Sequence, residues 1–176
     1  MRFCLPWLCL ALAACSQPAV DARWQPLTAP VVVFRGVTLP AAARDPAYPA
    51  VCREAVRAID TRLRRELPAR LRPVALRATP PAGDDDYVLL DIVITRCRLD
   101  VDQWGDDFDF FLDLNLKVTL RQGQRVVLRR TLVTGERART DTPSPDWLFT
   151  FADASRQILD GFENGRVRAA PTDPGD

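Results

Sequence analysis

From Phe108 to Leu120 apolar residues fall at every second position: Phe108, Phe110, Leu112, Leu114, Leu116, Val118 and Leu120. Between them stand Asp109, Phe111, Asp113, Asn115, Lys117 and Thr119. Successive strand side chains point to opposite faces, so this stretch predicts a long β-strand with one buried and one wet face. Gln122-Gly123 supplies a turn, and Val126 to Thr134 returns as a strand, with a hairpin the simplest connection. Its alternation is poorer because Arg129 and Arg130 are adjacent, and Gly135 to Thr142 reads as polar loop. Upstream, Tyr87 to Val101 is a second long strand. Val88, Leu90, Ile92 and Ile94 fall on one of its faces and Leu89, Val93, Cys97 and Leu99 on the other. That is the pattern of a central strand covered on both sides for part of its length. The β-branched run Val31-Val32-Val33-Phe34, ended by Gly36, predicts a first strand buried on both faces. Val74, Leu76 and Ala78 predict a short one.

Two stretches change period. After a loop at 39–48 carrying Pro40 and Pro46, a helix is predicted from Pro49. Val51, Cys52, Ala55, Val56, Ile59, Leu63 and Leu67 form its apolar stripe, and Pro68 is expected to end it. Arg53, Arg57, Asp60, Arg64 and Arg65 lie largely on the opposite side, a row that reads as a solvated face or as a dock for acidic lipid heads. A second helix is predicted from Ser144-Pro145-Asp146, with Trp147, Phe151, Ala154, Ile158 and Phe162 on one face, Leu148, Ser155 and Leu159 beside it, and Asn164-Gly165 as its end. The turn residues Pro80 to Asp86 separate the short strand from the long one. No internal repeat is present.

The N-terminus obeys another logic. Arg2, the apolar run Phe3–Leu12 and Ala13-Ala14 have the order of a secretory signal. The run is too short to span a bilayer, which needs about 20 residues. Leu12-Ala13-Ala14-Cys15 resembles the lipobox of bacterial lipoproteins. The resemblance covers only the first fifteen residues. It implies cleavage before Cys15, a diacylglycerol on its sulfur and an acylated new amine. Ser16, where the family uses aspartate for inner-membrane retention, implies the outer membrane, with the protein facing the periplasm. The chain then divides into a signal peptide (1–14), a lipidated tether (15–29), a globular domain (30–165) and a flexible tail (166–176). Trp24 in the tether either sits in the membrane interface or plugs the edge of the core.

Composition narrows the function classes. Loss of Arg2 from the 24 basic residues brings them level with the 23 acidic ones, so no basic excess points to nucleic acid. The chain beyond the signal is long enough for one domain with a core. Cys4 and Cys9 leave with the signal, and Cys15 carries the lipid, which leaves Cys52 and Cys97. In an exported domain an even pair reads as a disulfide, and otherwise as two buried thiols. A bridge would close a loop of about 45 residues and stabilise by about 2–4 kcal/mol.

No histidine occurs anywhere in the chain. This removes Ser-His-Asp and Cys-His catalysis and His-ligated metals. Asp100, Asp102 and Gly105 fit the early positions of a calcium loop, but Trp104 and Phe111 stand where oxygen ligands are needed. The segment, with Asp106, Asp107 and Asp109, therefore reads as a solvated loop, and no metal site is assigned. Asp109 and Asp113 share the wet face, as a glycosidase pair would, but nothing marks a cleft. The aromatics Trp104, Phe111 and Trp147 are the candidate contact points for a partner, glycan or membrane, with structural packing the competing reading of each.

The order strand–helix–four strands–helix predicts one α+β domain: a largely antiparallel sheet of four to five strands with two amphipathic helices on one face. In element order it resembles small envelope lipoproteins that assist lipopolysaccharide insertion, lipid transport or polysaccharide and curli export. That resemblance implies a non-enzymatic accessory or binding component of envelope assembly, transport or export, with a protein partner and no cofactor beyond the covalent lipid. The alternative is a periplasmic lipid- or glycan-binding carrier with a pocket between helices and sheet.

Overall fold

The computed structural model describes residues 24–83, 86–104, 107–140 and 147–168, without the side chains of 104, 107 and 138–140. The expected signal, the lipobox-like stretch with Cys15, the tether up to 23, the helix start at 144–146 and the tail from 169 lie outside the described residues. The described residues form eleven elements. In chain order, these are β1 (Trp24–Pro26), β2 (Val31–Thr38), a 3₁₀ turn (Ala41–Ala43), α1 (Pro49–Leu71), β3 (Ala75–Arg77) and β4 (Tyr87–Trp104). Then come β5 (Asp107–Gln122), β6 (Arg125–Thr140), α2 (Leu148–Leu159), β7 (Phe162–Glu163) and β8 (Arg166–Arg168).

The main sheet has the order β3-β2-β4-β5-β6. The three long strands pair antiparallel, β4 with β5 and β5 with β6. β2 lies parallel to both β3 and β4, because α1 carries the chain back across the sheet between β2 and β3. The sheet is thus mixed, within the predicted α+β class. One face of it, running through Val88, Leu90, Ile92, Ile94 and Phe110 to Leu120, packs with both helices into a single core. Val31, Val32, Val33 and Phe34 are all buried, the two-sided burial expected of the first strand.

Several sequence expectations are corrected by tertiary contacts. Cys97 and Leu99 join the face of Ile94 rather than opposing it, because the β4–β5 register slips between Ile94 and Arg96. One extra residue in a strand moves all later ones to the other face. Helix α1 runs past Pro68 to Leu71. Ile59, Leu63, Leu67 and Leu71 repeat every fourth residue with no exposure, and this apolar contact holds the last turn despite the proline. The segment 135–140, read as loop, is the end of β6 and pairs with β5 as far as Phe108–Thr140.

Asn164-Gly165 does not end a helix. α2 stops at Leu159, and the pair, both at positive φ, turns the β7–β8 hairpin. β8 in turn pairs with β1 inside the stretch read as tether. The fold therefore takes in Trp24 and Arg168, beyond the expected bounds of 30 and 165. Trp24 is half-buried, with the Arg168 guanidinium 5.9 Å from its ring centroid, so it closes an edge of the domain.

Candidate functional site

Cys52 on α1 and Cys97 on β4 are joined by a disulfide, with Cα atoms 5.9 Å apart. Both residues are fully buried. The bulge before Cys97 is what turns it toward the helix. Beside this link the loop after β2 is fastened by Asp45. Its carboxylate accepts hydrogen bonds from the main-chain N–H of Ala47 (2.7 Å), Tyr48 (3.2 Å) and Leu99 (2.9 Å). Burial alone would raise its pKa. The three N–H donors, with Arg98 nearby, outweigh that and hold it below the ordinary 3.8. Asp45 escapes a reading based on periodicity, although an aspartate two and three residues before the N–H groups it accepts is an Asx-turn signal. Its contact to Leu99, across the fold, has no local signal. An open cleft of about 610 Å³ lies here, lined by Arg44, Asp45, Arg96, Arg98 and Asp100 among others.

The outer face of the sheet is built from strand alternation, and its charges are paired. Arg96 binds Asp113 at 2.6 Å, Arg98 binds Asp100 at 2.8 Å, and Arg121 binds Asp91 at 2.8 Å. Arg137 holds both oxygens of Asp109, its Nε at 2.9 and 3.0 Å, and this partner lifts the Arg137 pKa above its ordinary value. Asp109 and Asp113, the carboxylates that could have formed an acid–base pair, are each engaged by a different guanidinium. Asp100, Asp102, Asp109, Phe111 and Arg137 line a shallow concavity of about 220 Å³. Gly105 and Asp106 of the calcium-like segment lie outside the described residues.

The three aromatic candidates part ways. Phe111 is 45% exposed on the outer face, at the concavity. Its ring also lies against Gly135 of β6, where an added Cβ would come within 3.4 Å of it. That accounts for an aromatic on a wet face, since it covers a glycine across the strand pair. Trp104 ends β4, paired with Asp107, and its side chain is outside the described residues. Trp147 is not a surface contact. It is 5% exposed and meets Phe110 edge-on at 6.3 Å between ring centroids, so it belongs to the core.

A second set of surface residues is assembled by helix packing. Arg53, Glu54, Arg57, Thr61, Arg62, Arg65 and Leu148 line a groove of about 560 Å³ along the outer side of α1. Leu148 and its neighbour Phe149 are 57% and 72% exposed, so Leu148 does not lie beside the apolar face as its spacing suggested, whereas Ser155 and Leu159 do. Helical spacing placed Arg53, Arg57 and Arg65 on this face; Arg64 of the expected row turns instead to Asp60 and the Phe34 ring, and Arg62, outside that row, joins the groove. Nothing local showed that the start of α2 would lie beside them.

No protein-family model matches the chain, and no curated protein matches it. Among solved structures it is similar to a minor lipoprotein from Acinetobacter baumannii, at 15% identity and a TM-score of 0.44, over 76% of this chain and 92% of that one. It is also similar to the rare lipoprotein B from Shewanella oneidensis, at 10% identity and a TM-score of 0.34, over 74% and 83%. Lipoprotein GNA1162 from Neisseria meningitidis matches at 12% identity and a TM-score of 0.30, over 74% and 98%. Likeness at this level is one of outline and transfers no role to this chain.

Proposed function

We propose that this chain is a bacterial lipoprotein, acylated at Cys15 and held at the outer membrane facing the periplasm. There it acts without catalysis, as an accessory or binding component of an envelope assembly, transport or export system. The observation that carries the reading is Leu12-Ala13-Ala14-Cys15, which closes a charged-then-apolar N-terminus. Two acyl chains or more anchor stably, since each buried CH₂ contributes about 0.8 kcal/mol. The outer face of the sheet supports a binding role. It offers a rigid ladder of arginine–aspartate pairs around half-exposed Phe111, a surface suited to recognition by shape and charge. The carrier reading places a ligand between helices and sheet. That space is filled by Ile59, Leu63, Leu90, Ile94, Leu112 and Leu114, each with 0 or 1% exposure.

Metabolic labelling with a fatty-acid analogue tests the anchor. The wild-type chain is expected to incorporate label, and Cys15→Ser to lose it and leave the membrane fraction. Label that persists in Cys15→Ser overturns the assignment. Pull-down of the lipidated protein tests the role. A stoichiometric protein partner that is lost in Phe111→Ala supports it. A co-purified amphiphile with no protein points to the carrier instead.

A further inference from the structure

The groove along α1 is cationic and lies beside Leu148 and Phe149, the latter the most exposed large apolar side chain among the described residues. Within it Arg62 is committed, donating to Glu66 at 3.1 Å and to the Ala152 carbonyl at 3.0 Å. Arg65 also binds Glu66, at 2.7 Å. Arg53 and Arg57, four residues apart and exposed, make no ion pair or hydrogen bond to a described side chain. Glu54 is the one acidic residue in the lining. At the groove's border the first turn of α2 is apolar on both sides. Trp147 and Phe151 point into the core, while Leu148 and Phe149 point out. An adjacent leucine and phenylalanine left this exposed, next to unpaired guanidinium groups, is the composition of a surface that lies in a bilayer interface. The ring and the branched chain enter the acyl boundary, and the arginines meet headgroup phosphates.

We infer that the α1 groove with Leu148 and Phe149 is a second membrane contact, which seats the domain against phospholipid carrying anionic headgroups. This rests on the acylation of Cys15 proposed above. If Cys15 is the anchor, the stretch from it to Trp24 in β1 reaches at most about 30 Å. Over so short a reach the domain cannot move more than about its own width from the bilayer, and a cationic, apolar face meets the lipid surface repeatedly. The short reach from Cys15 favours lipid over an acidic protein, because it keeps this face beside headgroups that match the arginines and an acyl boundary that takes Leu148 and Phe149.

The acylated full-length protein, inserted into vesicles of phosphatidylcholine alone or mixed with phosphatidylglycerol, provides the test by hydrogen exchange. Amides of Leu148, Phe149 and the exposed side of α1 are expected to exchange about tenfold more slowly with phosphatidylglycerol present, and Arg53→Glu with Arg57→Glu to abolish the difference. Equal exchange in both vesicles, unchanged by charge reversal, overturns the inference while leaving the anchor in place. The occupant is identified by a benzophenone side chain placed at Phe149 in cells. Adducts to phospholipid support the inference; adducts to a protein or to a second copy of the chain overturn it. Loss of fatty-acid label in the wild type would refute the anchor instead, so the two failures are read separately. All the positions changed are exposed, and an intact Cys52–Cys97 bridge with unchanged circular dichroism controls for folding.

Discussion

Three main-chain N–H groups converge on Asp45, and two of the donors are set by local geometry while the third comes from β4. Replacing it by alanine leaves the buried Leu99 N–H without an acceptor, while the N–H groups of exposed Ala47 and Tyr48 can turn to water, and we expect a loss of about 1–3 kcal/mol in urea unfolding. The pH dependence has a definite sign. The folded pKa lies below the ordinary 3.8, so the stabilisation is fully present above that value and is lost as pH falls through the folded pKa. A wild-type midpoint that drops in this window, with Asp45→Asn dropping less, is the expected result. Gly36 carries a comparable constraint. Its φ is +126°, and an added Cβ would stand 2.9 Å from Asp60 Oδ1. That same oxygen accepts the Val37 N–H at 3.0 Å, and Arg64 steadies the carboxylate at 2.7 Å while lying 5.2 Å from the Phe34 ring centroid. Gly36 was legible as a strand breaker. That it marks a shift in the β2–β4 register, secured from α1, depends on a partner 24 residues away.

At the scale of elements, α1 tests how far packing overrides propensity. Pro68 is exposed within the helix and removes one backbone donor there. Pro68→Ala should relieve a cost of up to about 3 kcal/mol, offset by about 0.4–1 kcal/mol of added freedom in the unfolded chain. A raised melting temperature with unchanged helix content is the expected outcome, and a lowered one would mean the proline shapes the end of α1 in a way the core needs. The same helix is tied to β4 by Cys52–Cys97. Replacing both cysteines by alanine should cost about 2–4 kcal/mol, read as a shift in denaturant midpoint that reduction of the wild type reproduces. β5 was readable almost residue by residue, because a period of two with one wet face has a single interpretation. β4 was not, since the bulge that sends Cys97 and Leu99 to the core is a property of pairing with β5, not of its own pattern.

For the whole molecule the question is how residues outside the expected domain of 30–165 join the fold. The strand at Trp24–Pro26 and the hairpin at 162–168 form a small second sheet that closes over the end of α1, where Gly165 N–H meets the Arg70 carbonyl at 3.3 Å. If residues 24–26 were only a tether, Trp24→Ala would be silent. We expect it to cost about 1–2 kcal/mol through lost burial and the contact with Arg168, measured by thermal or urea unfolding.

The sequence by itself determined the class of the fold, the buried face of β5, the two amphipathic helices, the last two cysteines as a candidate pair and the lipobox-like N-terminus. Each of these is written in local periodicity or in a short contiguous motif, and a strand or helix period is a one-dimensional signal. Only the tertiary structure decided which face of β4 Cys97 joins, that Trp147 belongs to the core, that Asn164-Gly165 turns a hairpin, and that Leu148 and Phe149 stand beside the arginines of α1. Those facts depend on register, bulges and helix packing between residues distant along the chain. The free energy of such contacts belongs to pairs of segments, and no single segment records it.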